Sequence, residues 1–136
     1  MIKPINRNPL TLQQKAQLAT PKDKQIVSDL LDTLKAHSAD CVGMAANMIG
    51  INKRIIVCQL GPIAVAMINP TISQKQGPYT TDEGCLSLDG ERPAKRFKQI
   101  TVKYQDTSLK EHTQTFQDWP AQIIQHEVDH CEGILI

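Results

Sequence analysis

Aromatic residues are scarce in this chain: one Trp, two Tyr and two Phe make up 4% of its 136 residues. A core must therefore rest on Ile, Leu, Val, Ala and Met, and a hydrophobic content of 40% is enough for a modest globular one. A charge excess of either sign is also missing. Fifteen Lys and Arg against 14 Asp and Glu leave a formal net charge of +1, which gives no electrostatic reason to expect DNA as a partner. No apolar run approaches the ~20 residues of a bilayer-spanning helix. The opening MIKPINRNPLTLQQ also lacks the apolar stretch of a signal peptide. These absences lead us to expect a cytoplasmic protein with no membrane partner. No repeat, low-complexity tract or linker divides the sequence, so residues 1–136 are expected to form a single domain.

The four cysteines, Cys41, Cys58, Cys85 and Cys131, contain no C-x-x-C pair. In a reducing compartment they stay thiols. Cys41, Cys58 and Cys131 read as small buried hydrophobes, and Cys85 is set apart by its neighbours.

The residues that are present order themselves into an α+β pattern. The first twenty are polar with scattered prolines and are expected along the surface. Thr20-Pro21-Lys22-Asp23 has the form of a helix start, and Ile26, Leu30, Leu31 and Leu34 follow at helical spacing. This predicts a helix over Pro21–His37. The small-residue stretch CVGMAANMIG reads as a loop. Strands are predicted over Arg54–Leu60 and Ile63–Ile68, the second closed by Asn69-Pro70. Another antiparallel pair is predicted over Gln99–Gln105 and His112–Gln117, with Asp106–Lys110 as its turn. A last helix opens at Asp118-Trp119-Pro120 and stops at Gly133. The expected architecture is antiparallel strands packed around this last helix, with an N-terminal helix besides.

That last helix carries Gln125-His126-Glu127-Val128-Asp129-His130, which contains H-E-x-x-H. Side chains four apart stand above one another on a helix, so His126 and His130 can reach one cation. Glu127 flanks it and can serve as a general base. On a helical wheel Ala121, Ile124, Val128 and Cys131 form an apolar face. Gln122, Gln125, Asp129 and Glu132 form a polar one, and the histidines share their sector with Trp119 and Ile123. A ligand face lined by apolar groups belongs in a cleft rather than on a solvated surface.

Two histidines need a third protein ligand for a catalytic site that leaves one position open. A purely structural site would need a fourth, and none is apparent. Cys85, in Thr81-Asp82-Glu83-Gly84-Cys85-Leu86-Ser87, is one candidate, with Gly84 expected to let the backbone approach closely. A carboxylate such as Asp89 is the other.

EGCLS at 83–87 together with QHEVDH at 125–130 resembles the peptide deformylase family. The likeness runs from the Pro21 helix to Gly133 and includes Asn69-Pro70 and Arg92. It implies that Cys85, His126 and His130 bind one divalent metal ion, ferrous iron most often, with Zn2+, Ni2+ or Co2+ able to take its place. It implies that Glu127 is general base and then proton donor, and that the Leu86 N–H faces the developing oxyanion. The implied reaction removes the formyl group from the N-terminal formyl-methionine of nascent polypeptides. The implied partners are an N-formyl-methionyl peptide and, transiently, the ribosome. Ile123 and Trp119 are the candidates to receive the methionine side chain.

The first family motif, G-x-G-L-A-A-x-Q, is altered here to Cys41-Val42-Gly43-Met44-Ala45-Ala46-Asn47-Met48. The family's glutamine amide donates to the oxyanion, and a thioether cannot. Losing one such donor costs roughly 10²–10³ in turnover. Asn47 offers an amide one position early, on the opposite face of extended backbone. Asp89 also stands where proline is usual. These departures motivate two alternatives: a low-activity paralogue that binds metal and formyl-peptide, or hydrolysis of another N-acyl substrate.

Overall fold

The computed structural model describes residues Met1–Ile136. Five strands, β1 (Gly43–Ala45), β2 (Ile55–Leu60), β3 (Ile63–Cys85), β4 (Leu88–Gln105) and β5 (Glu111–Gln117), form one antiparallel sheet in chain order. Three helices accompany it: α1 (Pro9–Leu12), α2 (Lys24–Ala36) and α3 (Asp118–Cys131). The α+β expectation holds.

The sheet is buried on both faces where β2 runs. Ile56 and Cys58 point to the cluster under α3 with Met67, Ile100, Val102, Ile124 and Val128. Ile55 and Val57 point to the cluster under α2 with Leu30, Leu34, Met44 and Ile68. A strand covered on both sides reads as a continuous apolar run, as Ile55-Ile56-Val57-Cys58 does. Its Cys58, like Cys131 of α3, is the small buried hydrophobe expected.

The expected helix at Pro21 is present. The Thr20 hydroxyl accepts from the Lys22 N–H at 3.3 Å, and the Asp23 carboxylate accepts from the Thr20 N–H at 2.7 Å. Its first turn, Pro21–Asp23, is a 3-10 turn before α2 proper. The Asp106–Lys110 turn also forms, with the Asp106 carboxylate accepting from the Ser108 and Lys110 N–H groups.

Four expectations need correction. The stretch expected as a loop contains β1, paired with β2 from Gly43 opposite Cys58 to Ala45 opposite Ile56, and a 3-10 turn over Ala46–Ile49. Small residues of weak strand preference conceal it. Asn69-Pro70 does not close a strand. It makes a bulge: Asn69 takes φ 52°, the register shifts between Ile68 and Thr71, and β3 resumes. The β3–β4 ribbon then runs from Gln105 opposite Ile68 to Leu88 opposite Cys85, so β4 begins well before Gln99. Much of its outer length is exposed and polar, so the ladder rather than an apolar period holds it there. Finally, the N-terminal stretch is not wholly superficial. Leu12 is fully buried, the Ala16 N–H donates to Cys131 O at 2.8 Å, and Gln17 bridges to Lys53.

This plan places the end of β3 at α3, where Glu83 meets His126 and Cys85 meets His130. Strand β1 runs beside the same helix.

Candidate metal centre

Helix α3 follows the wheel on its apolar side, where Ala121, Ile124, Val128 and Cys131 are buried. Its other side departs from the wheel. Gln125, expected in solvent, is buried: its Oε1 accepts from the Phe97 N–H at 2.8 Å, and its Nε2 donates to Phe97 O and Ala121 O at 2.8 and 2.9 Å. Gln125 thus bolts α3 to β4. Gln122, expected on the same wet face, is half-buried and lines the cleft. Amphipathicity cannot distinguish a wet glutamine from one whose amide is fully bonded inside.

His126 and His130 present their rings edge to face, with centroids 5.0 Å apart. Cys85 Sγ lies 3.2 Å from His130 Nε2, and the three candidate ligand atoms fall within 4.8 Å of one another. Bonds of ~2.0–2.3 Å to one tetrahedral cation require donors roughly 3.4 Å apart. The group fits a cation with small adjustments. His126 Nδ1 is bonded to Glu83 Oε1 at 2.9 Å, which leaves Nε2 for a metal in the carboxylate–histidine manner. Asp89, the competing carboxylate, is excluded by position. Its side chain is nearly fully exposed and holds Arg7 at 2.5 Å.

Electrostatics separate the two imidazoles. Burial opposes charge on both. At His126 the neighbouring Glu127, Cys85 and Glu83 outweigh burial and raise the pKa to about 10. At His130 burial, reinforced by His126 and Arg96, lowers it to about 3. A cation at the site would take the place of the His126 proton. Glu127 is 4% exposed, and its Oε1 has no hydrogen-bond partner. Burial pushes its carboxyl up, the His126 charge pulls it back, and the result is about 7, close to the optimum for a general base at neutral pH.

Cys85, His126 and Glu127 line a cleft of about 600 Å³, while His130 is fully buried. Val42, Ile123 and Trp119 give it apolar wall, Ile123 buried and Trp119 56% exposed at the mouth. Half-buried Cys41 lines it too, donating to Gly43 O at 2.8 Å. Leu86 lines it as well. Its carbonyl accepts from Arg7 Nη1 at 3.1 Å, and its N–H donates to no acceptor in the chain. Met48 is buried in the wall, its sulfur accepting from the Ala45 N–H at 3.5 Å. Asn47 faces elsewhere, donating to His130 O at 2.8 Å.

The close glycine is Gly43 rather than Gly84. A Cβ on Gly43 would stand 2.7 Å from Glu127 Oε2, whereas one on Gly84 would meet nothing nearer than 3.6 Å. Glu83 and Arg96 join the site without a sequence signal of their roles. Buried Arg96 binds Glu83 Oε1 through Nη2 at 2.6 Å and Asp129 Oδ2 through Nη1 at 2.7 Å. Glu83 was visible only as a letter of EGCLS, and Arg96 had no signal. Arg92 donates to Asp89 O at 3.1 Å and is not part of the cleft wall.

A Cys-His-His group with both imidazoles buried and the thiol half-buried, and a carboxylate poised near neutrality beside it in an open cleft, defines a metal-dependent hydrolase of the HExxH class. The polypeptide deformylase family model matches residues 2–136. The peptide deformylase of Clostridium beijerinckii is 52% identical over 136 residues, covering 100% of both chains. A class I type b peptide deformylase of Acinetobacter baumannii, solved with Met-Ala-Ser bound, superposes with TM-score 0.89 at 28% identity, covering 99% of this chain and 97% of that one. The peptide deformylase of Thermotoga maritima gives TM-score 0.89 at 31% identity, with 99% and 95% covered. This chain belongs to the polypeptide deformylase family. It is a hydrolase that removes the formyl group from N-terminal formyl-methionine, and the low-activity alternative is not favoured.

Proposed function

We propose that Cys85, His126 and His130 hold one divalent cation and that Glu127 is the proton carrier of formyl-methionine hydrolysis. The observation that carries this reading is the approach of the three ligand atoms beside a buried carboxyl with one unpartnered oxygen. When bound, the cation supplies Lewis acidity toward water and the formyl oxygen. Glu127 accepts the proton of the attacking water at its carboxylate and passes it to the leaving amine of methionine. The Leu86 N–H donates to the developing oxyanion, and Arg7 holds the carbonyl of the same residue, in the next peptide group. Val42, Ile123 and Trp119 receive the methionine side chain. Ferrous iron is the resident metal in this reading, since thiolate and imidazole donors suit it as they suit zinc. The enzyme acts in the cytoplasm on chains newly leaving the ribosome.

The test is hydrolysis of formyl-Met-Ala-Ser by protein loaded anaerobically with ferrous iron, with bound metal counted in the same sample. Turnover rising in proportion to bound metal is expected. One equivalent of metal without turnover would contradict the reading.

A further inference from the structure

Gln122 stands one turn before His126 on α3, so the two side chains leave the helix on the same face. Its Nε2 donates to Glu83 Oε2 at 2.9 Å, and its Oε1 accepts from the Tyr79 hydroxyl at 3.3 Å. Glu83 Oε1 is the atom bonded to His126 Nδ1. A chain of hydrogen bonds therefore runs from the half-buried Tyr79 of β3, through Gln122 and Glu83, to the ring of His126.

Each link has a direction. The Tyr79 hydroxyl can donate to Gln122 only at Oε1, which turns the amide NH2 toward Glu83. The flipped amide would set two acceptor oxygens against each other. Arg96 grips the same carboxylate from the other side, with Nη2 at 2.6 Å from Oε1 and Nε at 3.0 Å from Oε2. Oε1 serves both Arg96 and His126. The donor from Gln122 on Oε2 opposes rotation of the carboxylate toward Arg96 and keeps an Oε1 lone pair on His126 Nδ1. The partner of that second ring nitrogen sets the orientation and basicity of a ligating imidazole.

We propose that Gln122, oriented by Tyr79, is a positioning residue for His126 in the metal centre, acting through Glu83. This rests on the assignment of Cys85, His126 and His130 as ligands. Glu83 is thereby held by three elements: β4 through Arg96, α3 through Gln122, and its own strand β3, which also supplies Tyr79.

Two variants test it: Q122M, which keeps volume and removes both polar atoms, and Y79F, which removes only the hydroxyl. Each is loaded with Co2+, and its visible absorption bands are recorded together with the rate at which a chelator strips the metal. Loss of an outer partner of a ligand costs ~10–100-fold in metal affinity. Q122M is expected at the low end of that range, about 10-fold faster stripping, with shifted bands. Y79F is expected to shift in the same direction by less. With ferrous enzyme, kcat should fall while KM changes little. Parent-like bands and stripping rates in both folded variants would overturn the proposal, as would a change confined to KM, which would make Gln122 a cleft wall only. If Q122M does not fold, Y79F alone supplies the bands, the stripping rate and the kinetic split, and parent-like values there overturn the proposal. Bands and stripping need no hydrolysis. A parent that binds Co2+ through its thiolate yet cleaves no formyl-peptide would sink the proposed reaction and leave this inference standing.

Discussion

At the residue scale the site depends on Glu127 being buried and incompletely bonded. A buried acceptor without a partner costs about 1–3 kcal/mol, and no hydrogen bond in the cleft offsets it. The vacant lone pairs suit an atom that must receive a proton from a substrate water. Gly43 is what leaves the room, because any side chain there meets Glu127 Oε2. Gly43→Ala is therefore expected to lower kcat at least 10-fold and to cost about 1–3 kcal/mol in urea unfolding, the usual range for overpacking. Unchanged kinetics would show that Glu127 can move without consequence. Met48 permits a test of opposite sign. Its sulfur accepts from its own turn and donates nothing. Met48→Gln should raise kcat, by up to about 10²–10³ for one restored oxyanion donor. A flat response in steady-state kinetics would place the oxyanion out of reach of residue 48.

At the element scale the helix carrying the histidines is pinned to the ribbon by Arg96, which joins Glu83 of β3 to Asp129 of α3 from within β4. Burial alone would raise the Glu83 carboxyl. Hydrogen bonds from His126 and Arg96 outweigh it and hold the folded value at about 2, against an ordinary 4.5. On acidification the unfolded chain takes up this proton first. The stabilisation is thus complete above about pH 4.5 and is lost as pH falls toward 2. Urea titrations of the metal-free protein should show this slope, and Arg96→Met should flatten it. Arg96→Met should also cost about 3–5 kcal/mol, because it strands buried charge. A second pin lies at the far end of α3. Gly133 ends the helix at φ 75°, and a Cβ there would sit 2.3 Å from Gln13 O. Gly133→Ala should destabilise by more than about 1 kcal/mol in thermal or urea unfolding.

The elements legible in advance were those with a local code: the Thr20 cap, the leucine spacing of α2, the apolar run of β2 and the Gly133 stop. Strand β1 and most of the β3–β4 ribbon were not legible. Gly43, Met44 and Ala45 have no strand preference, and residues such as Gln74, Lys75 and Gln76 are held by partners distant in sequence. The site divides in the same way. His126, Glu127 and His130 could be set side by side from the motif and helical period, whereas Cys85 stood beside Asp89 as a candidate until the family resemblance favoured it. Glu83, the partner of His126, arrives from β3, and nothing in a one-dimensional pattern brings Arg96 or Tyr79 to it.

At the scale of the whole molecule the two apolar clusters lie on opposite faces of β2, and neither requires a cation to close. The chelated protein should therefore remain folded. Its Tm should be lower, since a ligand at 100 times its Kd adds about 2.7 kcal/mol to the folded state. Loss of native circular dichroism on chelation would mean that the metal is structural. No helix is long and apolar enough to cross a membrane. The α+β plan of antiparallel strands around the HExxH helix, expected from the sequence, is the plan shared with the Acinetobacter and Thermotoga enzymes.

In the proposed reaction one carboxyl, Glu127, moves the proton while Cys85, His126 and His130 hold the cation. The most direct measurement is formyl-Met-Ala-Ser hydrolysis by Glu127→Gln beside the parent, both loaded anaerobically with ferrous iron and both assayed for bound metal. About one metal per chain is expected in each, with a loss of roughly 10²–10⁴ in kcat for the variant. A Glu127→Gln protein with full metal and parent turnover would contradict it.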